Sequence, residues 1–174
     1  DISYVIFDET VPNPTIQNVQ NGVKLYKDNN NDSIIAVGGG SSIDTAKAIG
    51  IIITNPEFAD VRSLEGVAPT KNPCAPIIAV PTTAGTGSET TIAAVITDDK
   101  THHKYPINDF NLIPHYAVLD ATLTLGLPKG LTATTGMDAL THAIEAYIGH
   151  STTKKTRAAA LEACKLIFEN LPKA

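Results

Sequence analysis

Three short apolar runs rich in β-branched residues, Tyr4 to Phe7, Ser33 to Val37 and Pro76 to Val80, punctuate the first half of the chain and read as β-strands. Between the first two, Pro14 is followed by Ile16, Val19, Val23 and Tyr26, the spacing of one face of a helix. A helix joining two strands is what a parallel crossover needs, and such crossovers are right-handed, which points to an open wound sheet. A second helical pattern, Ile43 to Ile49, follows the second run. Beyond Val80 the sequence becomes irregular, with a strand expected at Ala93 to Thr97, a turn at Asp98-Asp99-Lys100 and another strand at Ala117 to Leu119. From Pro128 onward, Ala, Leu and Thr recur at helical spacing and no strand follows. The fold class expected is α/β: an open, mainly parallel wound sheet over residues 1–125, then the start of an all-helical domain over 126–174. The first run has nothing before it and the last residues stop just past a helix, so the chain reads as cut at both ends.

Composition narrows the function. With 174 residues, 43% hydrophobic and 18% charged, the chain has the make-up of a folded domain plus part of a second. A net charge of -5 argues against a nucleic-acid partner, whose phosphates select a basic surface. No apolar run reaches the length of a membrane span, and DISYVIFDET lacks the basic start of a signal peptide. Cys74 and Cys164 lie far apart with no metal-knot or redox spacing, which suits a reduced, cytoplasmic setting. Small-molecule chemistry is the expectation that remains.

Candidate chemistry begins at Ile34-Ile35-Ala36-Val37 followed by Gly38-Gly39-Gly40-Ser41-Ser42, a strand, a tight glycine turn and a helix start. Backbone without Cβ atoms approaches a ligand closely, and the free N–H groups of a first helical turn face an anion such as phosphate. Three glycines also suffice for a plain tight turn, and the pattern is not G-x-G-x-x-G. A second small, hydroxylated, glycine-rich loop, Pro81 to Glu89, follows another apolar strand. Two such loops at the ends of parallel strands converge on one crevice, where wound sheets bind ligands, and a diphosphate-bearing cofactor suits it. Asp44 reads equally as a first-turn carboxylate favoured by the helix dipole or as a hydrogen-bonding group aimed at the cofactor or the second loop. Lys104, His102 and His103 read as surface residues.

On the run from Thr134 to Tyr147, Met137, Leu140, Ile144 and Tyr147 or Ile148 form the stripe expected to pack inward. Asp138 and His142, four apart, reach one point in space, an oxygen and nitrogen set suited to iron(II), zinc or manganese. Two alternatives stand beside that reading: Thr135 to Asp138 has the spacing of an acidic capping-box variant, and His142 suits a domain seam. Glu145 fits solvent or a lysine better than a metal.

Taken together, VPNPT, VGGGSSIDTAKAIG, PTTAGTGSETT and GLTATTGMDALTHAIEAY resemble the iron-containing, or group III, alcohol dehydrogenase family, in order and across essentially the whole chain. NPEFADVRSLEG is most similar to the branch of that family acting on small diols. The resemblance implies a dinucleotide-binding domain followed by a helical one, with Gly39, Gly40 and Ser41 on the cofactor diphosphate and Thr82, Thr83 and Thr86 on neighbouring groups. It also implies cofactor contacts from Lys104 and two metal ligands, Asp138 and His142. The expected cofactors are NAD, with NADP possible, and a divalent iron or zinc. The expected reaction interconverts a small primary alcohol or diol and its aldehyde, in a homo-oligomer. A catalytically incomplete nucleotide-binding module, and a relative of the glycerol dehydrogenase or dehydroquinate synthase branch of the same fold, are the alternatives. Family members carry a further strand-turn-helix unit before the matched region and two more histidine ligands after it. His102, His103, His115 and His150 fall outside the ligand motif, and Ala93 stands where relatives carry a cofactor-facing asparagine.

Overall fold

The computed structural model describes residues 2–174. They form two units, one made of residues up to Thr82 with Ser88–Asp120, the other of Thr83–Gly87 with Ala121–Ala174.

In the first unit, helix α1 (Ile16–Asp28) starts where Thr15 and Asn18 cap each other, Asn18 N–H donating to Thr15 Oγ1 and Thr15 N–H to Asn18 Oδ1. It buries Ile16 and Val19 from the face expected of it. Strand β1 (Ile34–Gly38) leads into helix α2 (Gly40–Thr54), which is buried nearly all round, Ile43, Ala46, Ala48, Ile49, Ile51 and Ile52 included. A helix apolar on every side belongs inside a domain. Strands β2 (Gly66–Val67), β3 (Ile77–Pro81), β4 (Ala93–Thr97), β5 (Lys104–Asn108) and β6 (Tyr116–Ala117) complete the unit. They make two three-stranded sheets, β1-β3-β6, wholly parallel, and β2-β5-β4, in which β4 and β5 run antiparallel.

Two expectations need correction here. Tyr4 to Phe7 forms no strand, and Tyr4 and Ile6 stand exposed. A strand exists only where a neighbour takes up its N–H and C=O groups, and no strand among the described residues lies beside this run. Conversely, Lys104–Asn108 was not expected to be a strand, because Lys104 and Pro106 dilute its pattern. Its inward residues Tyr105 and Ile107 are fully packed, and β2 pairs only with Ile107 and Asn108, so Pro106 lies beyond that ladder. Strand β6 falls one residue earlier than expected, with Val118 N–H still donating to Ala79 O at 2.8 Å.

The second unit is built on α3 (Lys129–Ile148) and α4 (Lys154–Asn170), the latter capped by Thr153. The buried line on α3 is Gly136, Leu140 and Ala143, with Leu171 lying over Gly136. The expected stripe is therefore wrong except at Leu140: Met137, Ile144, Tyr147 and Ile148 are exposed. Large apolar residues mark a periodic face, but Gly136 leaves the space that the Leu171 side chain fills, and the buried line runs there instead. The capping-box alternative also fails, since α3 starts after Pro128 and Thr135 is interior, its hydroxyl donating to Leu131 O at 2.8 Å. No helix among the described residues is long and apolar enough to cross a membrane.

Candidate functional site

The parallel ladder of β1 on β3 ends with Gly38 opposite Pro81, and Thr82 N–H donates to Gly38 O at 2.9 Å. The two loops singled out from the sequence thus leave the same sheet end side by side. Gly38 has φ 151°, a region open mainly to glycine, and a Cβ there would sit 2.3 Å from Ser42 Oγ. Gly39 is the N-cap of α2, extended and without any side chain to cap the helix. Its carbonyl accepts from Ser42 N–H at 3.1 Å and Ile43 N–H at 3.3 Å. A 15-residue helix therefore begins behind two glycines with no side-chain cap over its N-terminus. That is the chemistry a phosphate selects: backbone donors, a favourable dipole and no steric bulk.

Asp44 turns toward the second loop. Its Oδ1 accepts from Ser88 Oγ at 2.5 Å and its Oδ2 from Val95 N–H at 2.9 Å. Burial raises its pKa, and the Ser88 and Val95 hydrogen bonds oppose that rise, as do the charges of Lys47 and Lys104.

Sequence reasoning missed Lys47. Its side chain is fully buried, and its ammonium donates to Ser88 Oγ (3.1 Å), Thr91 O (3.0 Å), Thr91 Oγ1 (3.0 Å) and Ala93 O (2.9 Å). Burial lowers its pKa to about 8, with Asp44 and Glu89 pulling it back up. The available signal was a lone charge inside the mainly apolar run Ala46 to Ile53, three residues after Asp44.

The remaining cofactor candidates divide between the units. Thr82 belongs to the sheet unit, whereas Thr83 and Thr86 belong to the helical one. There Gly85 lies against α3 so closely that a Cβ would be 2.5 Å from Thr135 O. Lys104, on β5, is exposed and donates to Asn13 Oδ1 at 2.8 Å.

On α3, Asp138 Oδ2 and His142 Nε2 approach to 3.5 Å, both side chains about half exposed. Two ligands held about 2.1 Å from a tetrahedral ion lie roughly 3.4 Å apart, so the pair has the spacing and the mixed donor set of two positions in a metal shell. Among the described residues no third His, Cys, Asp or Glu joins them. Glu145 is exposed. His103 pairs with Glu65 at 2.8 Å and stacks on Tyr105, and His115 Nδ1 accepts from Ile77 N–H.

A wound parallel sheet ending in a glycine turn, and a long helix presenting a carboxylate and an imidazole, define the class of the chain. It belongs to the iron-containing alcohol dehydrogenase family, which it matches over residues 1–121, with the C-terminal region of Fe-containing alcohol dehydrogenases matched over 132–174. Lactaldehyde reductase of Escherichia coli K12 is 50% identical over 166 residues, covering 95% of this chain and 44% of that protein. The solved structure of an alcohol dehydrogenase from Oenococcus oeni superposes with a TM-score of 0.95 at 46% identity, covering 99% of this chain and 45% of that one. A sulfoacetaldehyde reductase from Bifidobacterium kashiwanohense, solved in complex with NAD+, gives 0.88 at 35% identity, covering 97% and 45%. The chain thus spans less than half the length of these relatives.

Proposed function

We propose that this chain supplies the diphosphate cradle and two metal ligands of an enzyme that interconverts a small primary alcohol or diol and its aldehyde with NAD(H), NADP(H) being the other cofactor considered. The observation that carries the reading is the Gly38–Ser42 turn, which opens a long helix without a side-chain cap at the end of two parallel strands. Gly39, Gly40 and Ser41 receive the diphosphate through backbone N–H groups and the Ser41 hydroxyl. Thr82, Thr83 and Thr86 offer hydroxyls along the second loop, and Lys104 offers a cation for a phosphate or ribose. Asp44, with both oxygens engaged by Ser88 and Val95, orders the loop. Asp138 and His142 hold a divalent ion, iron or zinc, from one face of α3. The ion that Asp138 and His142 would hold would supply Lewis-acid polarisation of a substrate oxygen, and the cofactor that the glycine turn would hold would supply hydride exchange. A cytoplasmic homo-oligomer, with residues 1–125 on the cofactor side and 126–174 on the metal side, completes the proposal.

A nucleotide-binding module without catalysis is the second reading. It draws on the glycine turn alone and makes no use of Asp138 and His142, two donors that by themselves hold a divalent ion weakly. Titration with NADH, with Zn2+ or Fe2+, and assay of propanediol-dependent NADH formation separate the two. NADH binding with metal uptake lost in the Asp138→Ala variant supports the enzyme; NADH binding with no metal uptake supports the module. No NADH binding at all sinks both.

A further inference from the structure

The Pro81 to Glu89 loop is held at both ends by the element that makes the glycine turn. At its start, Thr82 N–H donates to the carbonyl of Gly38. At its end, Ser88 meets both Asp44 and Lys47, and Lys47 goes on to bind Thr91 and Ala93. We propose that Lys47 is a positioning residue of the cofactor site, fixing the downstream end of the second loop to helix α2 through Ser88, Thr91 and Ala93. This rests on the cofactor reading of the two loops.

An ammonium removed from water is retained only where acceptors replace its hydration, and here they do. All of them lie in one stretch, residues 88–93, which has little regular structure of its own: a single 3-10 turn over Ser88–Thr90 leads into β4. A hydrophobic side chain at position 47 would fill the same space inside α2 and leave that stretch without its central donor. Lys47 does not reach the surface, so its service to a cofactor runs through the loop.

Protonation separates positioning from simple stability. The charged groups around Lys47 are Asp44 on its own helix and Glu89 in the adjoining turn, while the Cys74 thiol beside it is pushed up to about 12 and stays neutral. Its ammonium titrates at about 8 in the folded chain against 10.5 when unfolded, so between those values the unfolded chain binds more protons at this group and its contribution to stability rises with pH, with the raised Cys74 thiol opposing that rise above about 9. Grip on the loop moves the other way, because the neutral amine has one donor fewer and no charge.

The test uses the full chain, as wild type, Lys47→Met and Ser88→Ala, with NADH titrated by fluorescence from pH 6.5 to 9.5 and amide hydrogen exchange read over residues 88–93. At pH 7 Lys47→Met is expected to weaken NADH binding by about tenfold, the worth of one charged hydrogen bond, and to speed exchange in that stretch. Wild-type affinity falls as pH passes about 8 while thermal stability rises between about 8 and 9, and the Lys47→Met affinity stays level. If Lys47→Met fails to fold, Ser88→Ala carries the test, with faster exchange over 88–93 and an affinity loss of about threefold expected. Unchanged exchange in the folded variants, or an NADH affinity equal to wild type, overturns the assignment. Wild type that binds no NADH overturns the cofactor reading instead, and exchange alone then decides whether Lys47 holds the loop.

Discussion

Asp44 Oδ1 accepts a hydrogen bond from Ser88 Oγ at 2.5 Å, joining the first turn of α2 to the far end of a glycine-rich loop 44 residues later. The other carboxylate oxygen receives Val95 N–H, so a single side chain ties helix, loop and strand β4. Replacing Asp44 with Ala leaves a buried hydroxyl and a backbone N–H without that acceptor and removes a countercharge from the neighbourhood of Lys47. The expected loss is about 1–3 kcal/mol in urea unfolding. A variant within about 0.5 kcal/mol of wild type would mean that the network is slack.

Gly38 is the second point of tension. With φ 151° and Ser42 Oγ where a Cβ would stand, Gly38→Ala is expected to cost about 1–3 kcal/mol. NADH binding should weaken with it, because the turn that aims the α2 N-terminus shifts. The idea fails if calorimetry finds unchanged NADH affinity in a variant that has lost stability, since the turn would then be structural alone.

Asp98 gives the acid limb of stability. Arg62 donates to both its oxygens, at 2.7 and 3.1 Å, and with the Lys100 N–H this holds its pKa at about 2, below the usual 3.8. The folded carboxylate is thus the weaker proton acceptor. Stability from this pair is complete above about 4 and is lost as pH falls toward 2. Melting temperatures across that range should drop for wild type and drop less for Asp98→Asn; parallel curves would contradict the assignment.

Asp138 and His142 are half exposed and pair only loosely, so stability should hardly notice their removal. Asp138→Ala and His142→Ala are each expected to unfold within about 0.5 kcal/mol of wild type while losing Zn2+ uptake measured by calorimetry. A large stability loss in either would recast the pair as structural.

Sequence alone determined the segments whose order is local. The run Ile34 to Val37, the glycines after it and the helix from Gly40 follow from β-branched residues, missing side chains and helical spacing, and α1 follows from Pro14 and the spacing of Ile16, Val19, Val23 and Tyr26. The four-residue step from Asp138 to His142 likewise needed only helical geometry, which brings the two side chains to 3.5 Å. Tertiary structure decided the rest, because the missing information was the identity of a distant neighbour. Tyr4 to Phe7 has strand-like residues but no adjacent strand, while Lys104–Asn108 has a poor strand pattern and pairs with β4 along its whole length. Gly136 and Ala143, rather than Met137 and Ile144, face inward on α3, since close approach rewards small side chains. Lys47 would pass for a surface lysine in any helix; only acceptors 41 to 46 residues away make its burial possible.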